Sequence, residues 1–180
     1  SRTLSPRSAA ESAVRHARKK GVLVIAAAGN NGSRCGNECT VSFPAAYDGV
    51  IGVSAVGPDG TLAPYSSWGK EVDVAAPGGA KSKGDANGVL QATIDPENPS
   101  VTVYSHYQGT SMATPHVAGL AALLLSAGAS PEKAERALLD SAVDAGKKGW
   151  DEHYGNGVID AEAALARVSS GGIGIGATIW

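Results

Sequence analysis

The run Gly109-Thr110-Ser111-Met112-Ala113-Thr114-Pro115-His116-Val117-Ala118-Gly119 constrains this chain more than any other, because it sets a lone serine where a strand meets a helix. Residues 101–107 alternate as a strand, and the nearly unbroken apolar stretch 113–125 predicts a buried helix. A serine at the start of a helix keeps its own backbone N–H free, since the donors of the first turn have no intrahelical partner. Its hydroxyl could then attack a carbonyl while that N–H faces the developing negative charge. The same residues equally suit a serine that only caps the helix. Local pattern leaves both readings open.

The rest of the chain reads as an α/β layer structure. Residues 8–20 place Ala10, Ala13, Val14 and Ala17 at helical spacing, with Gly21 as the stop. An apolar strand follows at 22–27, as expected of a parallel strand covered on both faces. Its loop Gly29-Asn30-Asn31-Gly32 lies at the strand's C-terminal end, where α/β sheets place functional loops. A phosphate cradle is the weaker reading of that loop, which lacks both the Lys-Ser/Thr and the Gly-x-Gly-x-x-Gly spacing. Core strands are predicted at 50–56 and 72–75. A hairpin at 89–94 and 101–106 brackets Asp95-Pro96-Glu97-Asn98-Pro99 and delivers Ser111. Ser130-Pro131-Glu132 opens a helix running to residue 143, and Asp160 caps a last one through 168. The predicted fold is a doubly wound, mainly parallel sheet with helices on both faces.

Composition removes several function classes. A net charge of −2, with one basic cluster from Arg15 to Lys20 at a helix end, does not suit nucleic acid as the main partner. No apolar run reaches the length of a membrane span. The two cysteines, Cys35 and Cys39, stand in a polar loop where they can close a small ring or remain two thiols; a disulfide would indicate an oxidising compartment. Zinc would need further ligands, and only Glu38 is close by.

The run from Gly109 to Gly119 resembles the nucleophile signature of the subtilisin-like serine proteases, the subtilases. Val24-Ile25-Ala26-Ala27-Ala28-Gly29-Asn30-Asn31-Gly32 resembles the family's oxyanion strand and loop, which makes Asn30 the oxyanion-hole asparagine. Further likenesses are Phe43-Pro44-Ala45, Val50-Ile51-Gly52-Val53-Ser54-Ala55-Val56, Tyr65-Ser66-Ser67-Trp68-Gly69, Val72-Asp73-Val74-Ala75-Ala76-Pro77-Gly78 and Gly155-Asn156-Gly157-Val158-Ile159-Asp160-Ala161. The resemblance implies a subtilisin-type sheet and a serine endopeptidase acting through an acyl-enzyme on Ser111, with protein or peptide substrates, secretion, and no cofactor for the chemistry. It also implies that residues 1–168 are the C-terminal part of a catalytic domain, because the family order is aspartate, histidine, serine, and no segment resembles the family's aspartate or histidine motifs. On that reading an N-terminal fragment of the same protease is the expected partner and the chain alone has little activity. A noncatalytic remnant that binds peptides or a partner is the alternative.

Four histidines could supply a base of the chain's own. His116 follows Ser111 by five residues, about 140° around the helix, so the two side chains diverge; the family likeness makes it structural. His16 belongs to the basic helix end, and His106 ends the strand before the serine. His153, two residues after Asp151, would complete a Ser, Asp, His order of the α/β-hydrolase kind, but Ala113 breaks the Gly-x-Ser-x-Gly elbow that order requires. Many subtilases carry calcium, and Asp85 and Asn87 in the polar loop 81–88 are candidate ligands beside an ordinary turn. The Gly-rich tail 169–180, with Ile173, Ile175 and Ile179 on one parity, reads as an edge strand or as a linker. Strand 22–27 should lack part of its sheet, and an unpaired apolar strand predicts association.

Overall fold

In the computed structural model, which describes residues 6–36 and 38–169, helix α1 (Pro6–Lys19) leads into strand β1 (Val24–Ala27). Strands β2 (Val50–Val56) and β3 (Val74–Pro77) follow, and the three form a parallel sheet in the order β1-β2-β3. A separate antiparallel hairpin, β4 (Val89–Ile94) and β5 (Thr102–Tyr107), precedes helix α2 (Thr110–Ser126). Helices α3 (Pro131–Asp140) and α4 (Ala161–Ser169) complete the described chain. The tail beyond Ser169 lies outside the described residues.

Side-chain alternation along β2 divides the core. Ile51, Val53 and Ala55 face α2, α3 and α4 and join Val117, Leu120, Leu124 and Leu138 in the main cluster. The opposite face lies under loops, where Ala28, Val41, Ala45 and Val72 form a second, smaller cluster. β2 is buried at every position, which explains its nearly continuous apolar sequence; the one polar side chain, Ser54, donates its hydroxyl to the His153 carbonyl.

Four expectations shift. Helix α2 is not buried all round: Ala113, Val117, Leu120, Ala121 and Leu124 are buried, while Leu123 and Leu125 on other sides of it are 51% and 40% exposed. The described sheet covers one face of the helix only. In α1, likewise, Ala10 and Ala13 are exposed and only Val14 and Ala17 are partly covered. Helix α3 stops at Asp140 and not at residue 143, because the backbone of Val143 exchanges hydrogen bonds of 2.8 and 2.9 Å with Val158. Its start is as expected, with the Ser130 side chain accepting the Lys133 N–H and Pro131 in the first turn. Strand β3 begins two residues later than predicted, since Val72 N–H turns back onto the Gly69 carbonyl.

Candidate active site

The C-terminal ends of β1 and β3 meet the start of α2, and there the chain assembles a polar junction. Asn30 and Thr110 are 80 residues apart in sequence, yet the Thr110 N–H and hydroxyl both donate to Asn30 Oδ1, at 2.9 and 3.0 Å. Held by its oxygen, the Asn30 carboxamide presents its Nδ2 toward Gly109 and the helix start. The Thr110 hydroxyl also accepts the Gly29 N–H at 3.3 Å. Thr110 is 1% exposed, so these bonds form away from water.

Ser111 follows Thr110 and is exposed. Thr110 N–H is taken by Asn30, and the N–H groups of Met112 and Ala113 go to the Gly109 carbonyl. Among the described residues the Ser111 N–H has no acceptor, as the helix-start argument requires. Ser111 is thus not a cap whose hydroxyl closes the first turn; the residue at the N-cap position is Gly109, which makes no side-chain bond. A second helix irregularity lies one turn on. Pro115 has no N–H to give the Ser111 carbonyl, which therefore loses the bond an ordinary residue would supply.

The loop that carries Asn30 is clamped from several sides. Ser67 N–H donates to the Gly29 carbonyl at 2.8 Å, and Ser67 Oγ accepts the Asn31 N–H at 3.1 Å. Gly29 itself has φ +113°, and a Cβ there would come within 2.5 Å of Ser42 Oγ, so glycine is required on both counts. Tyr65 ties the other side together. Its hydroxyl lies 2.8 and 2.7 Å from the carbonyls of Gly78 and Gly79, after β3, and accepts the Gly109 N–H at 3.0 Å. Burial pushes the Tyr65 phenol up to about 12, against the Gly109 N–H, which favours ionisation; it remains a proton donor at neutral pH.

Sequence reasoning singled out Ser111 and Asn30 and gave Thr110, Tyr65 and Ser67 no role. The only signal was that Thr110 adjoins the serine and that Tyr65 and Ser67 share the quoted run Tyr65-Ser66-Ser67-Trp68-Gly69. Partners 36 to 80 residues away in sequence leave no trace in local pattern.

The histidines lie elsewhere. His116 Nδ1 sits 2.8 Å from the Met112 carbonyl along its own helix. The His153 ring packs against Trp68 with centroids 4.7 Å apart. Its neighbour Asp151 accepts the backbone N–H groups of Lys147, His153 and Tyr154 and forms no dyad with the His153 ring, so the α/β-hydrolase arrangement is not built. His106 faces the Asp85 carboxylate at 3.6 Å, and His16 lies in the last turn of α1. Asp85 also holds the Lys81 ammonium at 2.6 Å. Among the described residues no group of three or more His, Cys, Asp or Glu side chains is arranged to hold a metal. Cys35 and Cys39 form a disulfide just beyond the Asn30 loop.

The Subtilase family profile matches residues 1–157. The chain belongs to the subtilase family. It is 40% identical over 158 residues to Subtilisin DY of Bacillus licheniformis, covering 87% of this chain and 51% of that relative. It is also 40% identical over 147 residues to a halolysin-like extracellular serine protease of Natrialba magadii, covering 81% of this chain and 23% of that protein. Among solved structures, a protease from Pseudoalteromonas arctica superposes with a TM-score of 0.78 at 37% identity, covering 93% of this chain and 48% of that one. The chain therefore spans about half the length of Subtilisin DY and less than a quarter of the halolysin-like protease. Its mixed α/β architecture with a parallel sheet is that of its subtilase relatives.

Proposed function

We propose that this subtilase chain supplies the nucleophile and the oxyanion-binding side of a serine endopeptidase site. Ser111 Oγ attacks the scissile carbonyl while its proton passes to an imidazole. The carbonyl oxygen becomes an oxyanion between the Ser111 N–H and Asn30 Nδ2, the C–N bond breaks with the proton returned to the leaving amine, and water then releases the acyl group. The observation that carries this reading is the Asn30–Thr110 clamp: anchoring Oδ1 twice leaves the amide NH2 as the end beside Gly109 and the helix start. An asparagine suits the role because its NH2 donates without acting as a base.

The imidazole, on this proposal, comes from a further part of a longer polypeptide, and the present chain alone turns over little peptide. Support comes from the four histidines, each engaged or placed elsewhere, and from the share of its relatives that the chain spans. In subtilisin itself, loss of the oxyanion asparagine lowers turnover about 100- to 1,000-fold and loss of the histidine about a millionfold. The same partner would cover the exposed side of α2 and pair the outer edge of β1, which has no strand beside it among the described residues. Secretion is proposed with it: the Cys35–Cys39 disulfide suits an oxidising compartment, and the Natrialba relative is called extracellular.

Imidazole-assisted acylation tests the assignment. With p-nitrophenyl acetate and increasing imidazole, peptide mass spectrometry should find acetyl on Ser111, and Asn30→Ala should slow its appearance about 100-fold. Acetylation spread over surface side chains without preference for Ser111 would overturn the nucleophile. Peptide hydrolysis by the chain alone, abolished in Ser111→Ala, would overturn the external imidazole.

A further inference from the structure

Between the loop that follows β1 and the one that precedes β3 lies a groove of about 540 Å³ that the acyl-transfer reading does not use. Its floor is apolar, formed by Val41, Phe43, Ala46 and Trp68. Phe43 is 45% exposed, although it follows Ser42, whose N–H is bonded to the Ala28 carbonyl at the end of β1. The rim is acidic. Glu38, Glu71 and Glu152 reach it from three separate loops, against the single ammonium of Lys70. Lys70 meets Glu71 only at 4.0 Å and is 81% exposed, a geometry that contributes little. Two negative charges are left over above an aromatic floor, which complements a guanidinium or ammonium carried on an apolar stem: the head meets carboxylates and the stem covers Phe43 and Trp68.

We infer that this groove is a docking site for a basic segment of a polypeptide substrate, with arginine or lysine beside an apolar residue. The inference rests on the peptidase reading for the word substrate, and on the groove alone for the binding. The disulfide enters here in a second capacity. Cys39 lines the groove next to Glu38, and the Cys35–Cys39 bond ties down the backbone at Cys39. The opposite wall is held by Trp68, whose ring rests on His153, and by the Gly69 N–H, which donates to the Glu152 carbonyl at 2.9 Å. Val41 and Phe43 of the groove flank Ser42, whose side chain packs over Gly29, one position from Asn30. Docking there would position substrate beside the Asn30 loop.

The test is direct binding to the Ser111→Ala chain, so that no cleavage intervenes and failure of the acylation reading leaves it intact. Acetyl-Leu-Arg-Arg-Leu-amide should shift the amide and indole resonances of Trp68 and the amide of Gly69, while acetyl-Leu-Glu-Glu-Leu-amide should not. The Glu38→Gln, Glu71→Gln, Glu152→Gln variant should bind the arginine peptide roughly tenfold more weakly. Raising salt to about 0.5 M should weaken binding to the unaltered groove in the same direction, a readout that needs no substitution there. Equal binding of both peptides, salt-independent affinity, or shifts confined to residues outside the groove would overturn the inference, as would no shift at all.

Discussion

Replacing Thr110 by valine keeps the shape of the side chain and removes one hydroxyl from the centre of the site. Two hydrogen bonds go with it. The donation to Asn30 Oδ1 at 3.0 Å contributes about 1 kcal/mol net, and Oδ1 keeps the Thr110 N–H at 2.9 Å, so no acceptor is orphaned there. The Gly29 N–H is left without its 3.3 Å acceptor in a partly buried place, which costs about 1–2 kcal/mol for so long a bond. Together the expected loss is about 2–3 kcal/mol, or roughly 4–12 °C in melting temperature for a chain of this size. Thr110→Ser supplies the control, since it keeps the hydroxyl and loses only a buried methyl worth about 1 kcal/mol. Thermal unfolding followed by circular dichroism should rank the parent chain, then Thr110→Ser, then Thr110→Val. Imidazole-assisted acylation of Ser111 should fall in the valine variant as well, because Asn30 then hangs from a single anchor. A valine variant that melts with the parent, or a serine variant that melts below the valine one, would show that the hydroxyl does not hold this junction.

Other substitutions probe the packing and the charges. Leu124→Ala, in the main core, should cost about 2–5 kcal/mol in urea unfolding, whereas Leu123→Ala on the exposed side of α2 should stay within about 0.5 kcal/mol; equal losses would mean that the helix is covered all round. Exchanging Cys35 and Cys39 for serine should cost about 2 kcal/mol, the chain-entropy value for so small a ring, and an unchanged denaturation midpoint would count against any stabilising part for the disulfide. Burial opposes ionisation of Asp151, but the N–H groups of Tyr154, His153 and Lys147, with the nearby His153 charge, outweigh it and hold the carboxyl below the ordinary aspartate range. A depressed folded value means that the stabilisation is complete above the unfolded value near ~3.9 and is lost as pH falls through the folded one. Asp151→Asn should therefore unfold at a lower temperature than the parent at pH 7, with the gap closing in acid; a gap independent of pH would refute the linkage.

Much of the architecture could be read from the chain because its signals are local. The nearly continuous apolar run of β2, the Ser130-Pro131 helix start and the asparagine–proline turn between β4 and β5 each carry their geometry within a few residues. The placement of Ser111 at a helix start and of Asn30 in the loop after a strand was legible locally, and the free Ser111 N–H through helix physics. What sequence did not disclose is relational. Apolar residues at Leu123 and Leu125 say that a helix can be buried, not that a neighbour is present to bury it. The end of α3 was set by Val158, a partner fifteen residues downstream of Val143, against a helical pattern that continued past Asp140. Tyr65, an aromatic in a loop, gave no hint that its hydroxyl would meet Gly78, Gly79 and Gly109 at once.

The bond between Asn30 and Thr110 joins points 80 residues apart, with strands β2 and β3 and the β4–β5 hairpin folded between them. Neither loop can orient the amide by itself, so the geometry at Ser111 does not exist in an unfolded or half-folded chain. Closing a loop of that length is slow and comes with tertiary structure, not before it. A nascent chain thus carries its serine as an ordinary hydroxyl. The Asn30–Thr110 junction arrives only with the finished fold, so the chemistry proposed for Ser111 waits on folding as well as on an imidazole.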